Sequence, residues 1–321
     1  GVAVDLWRQL VELGLVGILI PEAYGGQGQT LLEAAIVYEE LGRALAPSPH
    51  FVSAVLSAGA LERAGSEAQK SEWLPRIATG EAVLPPAWLE PGRGYGPKGV
   101  AMAAVPDGDG YLLTGTKLHV AFARHADRLI VLARTGEPDE AIDLFLVVPS
   151  AAGVTMSQRL NLGSETQYRV DFDGVRVGEG DRIGAPRSGG ATWDAVMHDG
   201  IVLLAAQAAG GAARALDITV EYAKQREQFG KPLGAFQSIS HYLADAATAI
   251  EGGRTLVYEA AWSRSVGKQD RRLAPLAKLF MCQAYRDTTA TCQQIWGGVG
   301  FTIEYDIQLF FRRAKQLQLS W

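Results

Sequence analysis

Arg226, Gln228, Phe229 and Gly230 stand together in this chain of 321 residues and form the first group suited to chemistry by type and spacing. A guanidinium is a forked, charged donor that matches phosphate oxygens, an amide adds a neutral donor, and a phenyl ring offers a flat face. Such a set could hold a pyrophosphate and a planar ring. Its plainer reading is a helix C-terminus closed by Arg226 and Gly230, with Phe229 in the core. Gln294-Ile295-Trp296-Gly297-Gly298-Val299-Gly300-Phe301 forms a second group, ahead of Arg312-Arg313-Ala314-Lys315. Gly297-Gly298 allows a backbone to approach a ligand closely, and equally suits a corner between helices. A third glycine-containing run is Pro21-Glu22-Ala23-Tyr24-Gly25-Gly26-Gln27-Gly28. None has the spacing and strand-to-helix context of a Rossmann fingerprint or a P-loop. Acid–base candidates are few. His119 reads as a partly buried, hydrogen-bonded residue, and His198-Asp199 as a capped helix start. The two cysteines, Cys282 and Cys292, have no histidine or second pair at zinc spacing. Two buried thiols in a reducing compartment are expected, and no metal site.

Elements of three textures must position these groups. From Leu6 to about Glu81, Leu6, Leu10, Leu13 and then Leu31, Ala35, Tyr38, Leu41 recur at helical steps. Phe51 to Ala64 and Gln69 to Ala78 read as two further short helices. Between Val83 and Ser188 short β-prone runs take over: Tyr111–Gly115, Leu129–Leu132, Leu144–Val148 and Tyr168–Phe172. Turn-forming clusters such as Pro106-Asp107-Gly108-Asp109-Gly110 separate them. From about Trp193 the chain is rich in Ala, Leu and Gln, with Ile239, Leu243, Ala246, Ile250 and Val257 along one face. The pattern predicts an α+β multi-domain protein: an N-terminal helical domain over 1–82, a central antiparallel β-barrel or sandwich over 83–188, and a C-terminal four-helix bundle over 189–321. Hydrophobic residues make up 48% of the chain, enough for a large core, which rules out intrinsic disorder. The net charge of −5 speaks against general nucleic-acid binding. No apolar run approaches the roughly 20 residues of a membrane span, and no signal peptide opens the chain. A cytoplasmic protein with no membrane role is expected.

Taken in order, five segments resemble the acyl-CoA dehydrogenase family: PEAYGGQG at 21–28, YEELGRALA at 38–46, WLPRIATGE at 73–81, REQFGKPLGAFQ at 226–237 and QIWGGVGFTIEY at 294–305. The resemblance covers essentially the whole chain. It implies a tetramer, FAD at a subunit interface and an acyl-CoA thioester as substrate. It also implies that Arg226, Gln228, Phe229, Gln237, Gln294, Gly297 and Gly298 face the pyrophosphate and adenine end of an FAD whose ring lies in a neighbouring subunit.

The residues that the resemblance assigns to the chain's own flavin ring are different. Leu89-Glu90-Pro91 stands where the family writes Thr-Glu-Pro, Arg93-Gly94-Tyr95-Gly96 where it writes Ala-Gly-Ser-Asp, and His119 and Ala121 replace its ring-stacking Trp and flavin-bonding Thr. The family's catalytic Glu falls on Trp321, and its alternative position on Gly200. Asp199 is one residue away, a slip that turns a side chain by about 100° on a helix. A gap near the C-terminus would instead place a Glu beyond Trp321. The chain therefore keeps what it would lend to a neighbour's FAD and lacks what its own would need. This arrangement resembles bacterial heterotetrameric (α2β2) members acting on steroid side-chain CoA esters. The expectation is a non-catalytic, FAD-completing subunit in lipid metabolism. Its partner would be a second acyl-CoA dehydrogenase subunit that carries the base, its substrate an acyl-CoA with a bulky or steroidal acyl group, and its electron acceptor an electron-transfer flavoprotein. The alternatives are a self-sufficient homotetramer with an unusual base, and a non-enzymatic scaffold on this fold.

Overall fold

The computed structural model of the chain describes residues 2–137, 141–268 and 270–320. In chain order the elements are α1 (Val4–Glu12), α2 (Leu31–Arg43), α3 (Ala58–Ala64), α4 (Glu67–Ala78), β1 (Pro86–Ala87), β2 (Ala103–Asp107), β3 (Gly110–Ala121), β4 (Leu129–Arg134), β5 (Ile142–Val147), β6 (Val154–Arg159), β7 (Gln167–Gly178), β8 (Arg182–Ile183), α5 (Gly189–Gln225), β9 (Glu227–Gln228), β10 (Lys231–Pro232), α6 (Gln237–Ser265), α7 (Leu273–Trp296) and α8 (Ile307–Leu319). They form two compact units, one of Gly1–Gln29 with Pro47–Gly200, the other of Thr30–Ala46 with Ile201–Trp321.

In the first unit, eight strands pair in the order β6-β7-β3-β2-β4-β5-β8, with β1 beside β4. The pairings are antiparallel except β1–β4 and the single β2–β4 bridge, which are parallel. In β7 the alternation of buried Tyr168, Val170 and Phe172 with more exposed neighbours is the pattern of a strand covered on one face. β4 and β5 are buried along nearly their whole length and carry the core with Leu113, Val120 and Val175. The sequence reading missed β2 and β6. β2 contains Pro106, and β6 is Val-Thr-Met-Ser-Gln-Arg and mostly exposed, so neither shows an apolar run.

The helices of this unit are tied to the sheet through polar side chains. Ser66 and Gln69 cap α4 reciprocally, and the Gln69 amide then donates to the carbonyls of Gly180 (2.9 Å) and Arg182 (3.0 Å). Phe51–Ser57, expected to be the start of one helix, is a π-helical stretch leading into α3. It turns the Ser53 hydroxyl to accept from the Leu84 amide at 3.0 Å.

The second unit is helical. Thr30 and Glu33 form a capping box at the start of α2. α2 meets α5 backbone to backbone: a methyl group at Gly210 would overlap the Glu39 carbonyl, and one at Gly42 that of Gln207. The Cys282 and Cys292 thiols are buried, as expected from the sequence, and form no disulfide, and burial pushes both up to about 11. α5 is long and apolar enough to cross a membrane by length and composition, and 67% of its most apolar window is buried inside the protein. It begins at Gly189, nine residues earlier than the helix start expected at His198-Asp199, so both residues lie in a helix interior. His198 there bonds the Asp194 carbonyl.

Gly210→Ala is expected to lower stability by about 1–3 kcal/mol, because the backbone contact with α2 leaves no room for a methyl group. A denaturant midpoint equal to that of the wild type would show that α2 and α5 do not meet there.

Candidate cofactor site

α5 ends at Gln225, and the chain enters the β9–β10 hairpin, in which Gln228 pairs with Lys231 and Glu227 with Pro232. Its two-residue loop is Phe229-Gly230, with φ of +54° and +78°. Two successive left-handed residues make the turn that matches strand twist, and Asn-Gly is its usual filling. A phenylalanine there is strained, and its ring is 93% exposed, not in the core as the plainer reading had it. Phe229 meets Phe236 edge to face, with ring centroids 6.3 Å apart, and the Lys231 ammonium stands 4.2 Å from the Phe236 ring centre. The Arg226 carbonyl accepts from the Leu233 amide at 2.8 Å, and its guanidinium is exposed with no acceptor among the described residues. The Gln228 side chain donates to the Glu227 carbonyl at 2.7 Å, and Gln237 opens α6, exposed.

Gln294, Gly297 and Gly298 lie at the end of α7. Gly297 has φ +64° and ψ −146°, a conformation open in practice only to glycine. A Cβ at Gly297 or Gly298 would meet nothing within 4 Å, so this backbone is bare. One anchor joins the two groups. Trp296 stacks on Tyr222 at 4.0 Å and donates to the Thr219 hydroxyl at 3.1 Å. That fixes the end of α7 against the last turns of α5, directly before Arg226. No hydrogen bond among the described residues links the two groups' side chains. Sequence reasoning missed the anchor, because Thr219 and Tyr222 carry no motif of their own.

Segments 86–91 and 117–121 lie side by side on the sheet, with the Leu118 amide donating to the Leu89 carbonyl at 2.8 Å. Lys117, fully buried, places its ammonium 2.7 Å from Glu90, whose carboxylate also accepts from the Ala101 and Met102 amides. Burial pulls Lys117 down to about 8 even with Glu90 beside it. His119 sits where the β3–β7 register shifts, with φ +56°. It is exposed, not partly buried as expected, and Nδ1 lies 2.9 Å from Gln167 Oε1. Bulges of this kind re-aim side chains.

Among the described residues, the surroundings of Gly200 and Asp199 bear on where a base could stand. A Cβ at Gly200 would lie 2.9 Å from Leu56 Cδ2 and 3.4 Å from Phe51 Cζ, so no carboxylate fits there without displacing both. Asp199 is ion-paired with Arg63. Trp321 lies outside the described residues. Among the described residues no cluster of His, Cys, Asp and Glu could hold a metal ion.

The sequence matches three family descriptions in succession: "Acyl-CoA dehydrogenase, N-terminal domain" over residues 1–81, "middle domain" over 87–175 and "C-terminal domain" over 192–320. The chain belongs to the acyl-CoA dehydrogenase family. The probable acyl-CoA dehydrogenase YngJ of Bacillus subtilis is 32% identical over 98% of this chain and 85% of its own length. Among solved structures, the ChsE4–ChsE5 complex of Mycobacterium tuberculosis superposes with a TM-score of 0.89 at 30% identity, over 99% of this chain and 84% of that one. A variant of the Tcur3481–Tcur3483 steroid acyl-CoA dehydrogenase does so with 0.87 at 32%, over 98% and 84%. Acyl-CoA dehydrogenases are oxidoreductases and FAD-dependent flavoproteins.

Two groups of residues differ in how they suit FAD. The first fits: Arg226 is an uncommitted forked cation, Gln228, Gln237 and Gln294 are exposed amides, Phe229 is a bare ring, and Gly297-Gly298 is open backbone for an anion to approach. The second does not. A flavin's pyrimidine edge asks for hydrogen-bond partners, and the side chains at 89 and 121 are Leu and Ala.

Lys117→Met leaves the Glu90 carboxylate buried without its cation and is expected to cost about 3–5 kcal/mol in urea unfolding. Lys117→Met/Glu90→Gln is expected to recover part of it. Lys117 titrates below the ordinary lysine value when folded, so between about pH 8 and 10.5 the folded chain binds fewer protons than the unfolded one. Wild-type stability relative to Lys117→Met should therefore rise across that window. Urea midpoints at pH 7.5 and 10 check both points; a narrowing gap would contradict the buried-lysine assignment.

Proposed function

We propose that this chain is the FAD-completing, base-lacking subunit of a heteromeric acyl-CoA dehydrogenase. The assembly introduces a 2,3-double bond into an acyl-CoA thioester. The observation that carries this reading is the asymmetry between an open set around Arg226, Phe229, Gln294 and Gly297-Gly298 and a ring-side set without hydrogen-bonding side chains at Leu89 and Ala121. FAD, when bound, supplies the hydride acceptor. In this reading Arg226 meets its pyrophosphate, Phe229 covers a flat face, and Gln237, Gln294 and the bare backbone at Gly298 hold the remainder. Removal of the α-proton falls to a carboxylate of the partner subunit.

The likeness to the ChsE4–ChsE5 complex and to the Tcur3481–Tcur3483 steroid enzyme supports an α2β2 assembly and a bulky, steroid-derived acyl group. An electron-transfer flavoprotein is the expected acceptor, and the cytoplasm the expected compartment. The ion pair of Asp199 with Arg63 weighs against a self-sufficient enzyme using Asp199 as base.

The test is the FAD content per chain, from visible absorbance, of the protein purified alone and with its partner. No flavin alone and about one FAD per pair is expected, and one FAD per lone chain would overturn the reading. Arg226→Ala should weaken FAD retention by the assembly about 10- to 100-fold, the loss of one charged hydrogen-bonding group. Full retention would remove Arg226 from the interface.

A further inference from the structure

Trp88 immediately precedes the Leu89-Glu90-Pro91 triplet and is 8% exposed. Its ring centre lies 5.6 Å from that of Tyr95 and 5.7 Å from that of Trp193, both pairs tilted. The three rings come from separate places: the end of the β1 segment, the glycine-rich stretch Gly92–Gly96 and the start of α5. Trp193 is buried, and its indole N–H finds no acceptor among the described residues. A buried donor left unsatisfied costs free energy, so the ring is held there by packing and not by polar complementarity.

Trp193, Val196 and Gly200 are spaced by three and four residues, so they share one face of α5. That face is covered throughout its first turns. Trp88 covers Trp193. Val196 comes within 3.6 Å of where a Cβ on Gly59 would lie, and Leu56 and Phe51 close over Gly200. The side of the cluster away from the core is different. Tyr95 is 49% exposed, and Cβ atoms at Gly92, Gly94 and Gly96 would meet nothing within 4 Å. The cluster thus has a fixed floor, Trp88 on Trp193, and a thin outer cover that carries Tyr95.

We infer that this chain's own dehydrogenase cavity is plugged by its side chains: Trp88, Tyr95 and Trp193 fill the space beside segments 86–91 and 117–121, so that neither a flavin ring nor an acyl thioester enters it. The inference rests on the half-site reading and adds a physical cause to it. A lost hydrogen bond at Leu89 or Ala121 weakens a flavin, whereas three packed rings exclude it. The plug also supplies the chain with the packing that a bound flavin supplies elsewhere, so the unit needs no cofactor of its own to be well packed. Tyr95 is its removable part.

The probe is lumiflavin, the isoalloxazine ring without its nucleotide, titrated into the FAD-loaded assembly and followed by quenching of its fluorescence. The wild type is expected to take up none beyond its FAD complement. Trp88→Val/Tyr95→Gly, checked for a cooperative thermal transition, is expected to take up about one per copy of this chain. Uptake by the wild type, or none by the folded double variant, would overturn the plug. Should the double variant fail to fold, Tyr95→Gly alone is read by acrylamide quenching of tryptophan fluorescence. Increased quenching supports the plug, and unchanged quenching sinks it. The half-site reading has its own readout in the flavin count. If that count holds and lumiflavin still enters the wild type, the cavity is open but unfurnished.

Discussion

The contact between Lys117 and Glu90 constrains the segments that meet around it on the sheet. A fully buried ammonium and a nearly buried carboxylate at 2.7 Å leave each other little freedom, since separating them strands a charge in a medium that solvates it poorly. Glu90 spends its remaining acceptor capacity on the amides of Ala101 and Met102, so one carboxylate ties together three stretches of chain. Trp88, Leu89, His119 and Ala121 sit on segments whose positions follow from that tie. The backbone of a flavin-ring platform can therefore persist while the side chains on it change. In the proposed reading the chain keeps this frame while Leu89, His119 and Ala121 line it.

Much of this is legible in the sequence, for physical reasons. The helical period of Leu31, Ala35, Tyr38 and Leu41 and the β-prone runs at 129–132 and 144–148 each report burial on a defined face, and burial is what a hydrophobic pattern encodes. The bland strands β2 and β6 carried no such signal because they are exposed and gain their place from partners in the sheet. The start of α5 escaped because Gly189-Gly190-Ala191-Thr192 has poor helix propensity, and its tertiary setting overrides that. Of the residues proposed to hold the cofactor, Arg226, Gln294 and Gly298 were visible through the resemblance. The exposure of Phe229 was not, because a strained aromatic at a hairpin tip looks in sequence like an ordinary core residue.

The two glycines at the α2–α5 crossing belong to the same logic. Gly42 and Gly210 each admit a carbonyl of the facing helix, which brings the backbones into contact. Tyr285 extends the pattern: its buried hydroxyl reaches toward Gly211, and burial pushes its pKa far up. Close helix contacts of this kind resist sliding, and they give the β9–β10 hairpin at the end of α5 a rigid base. With Trp296 stacked on Tyr222, both ends of the exposed group are fixed by packing, while the Arg226 and Gln294 side chains remain in water.

That exposure has an energetic consequence. A solvent-exposed guanidinium facing a phosphate gains little net free energy, because water and salt screen the pair. An exposed phenyl ring gains nothing until something covers it. A small-molecule site earns its affinity by enclosing most of the ligand, and Arg226, Phe229 and Gln294 offer one side of such an enclosure. Strain at Phe229 and bare backbone at Gly297 and Gly298 are costs already met in the free chain, so a ligand pressed between this surface and another does not meet them again. The split cofactor site proposed for this chain agrees with these terms. One surface supplies fixed charge and an open backbone, and the other must supply depth.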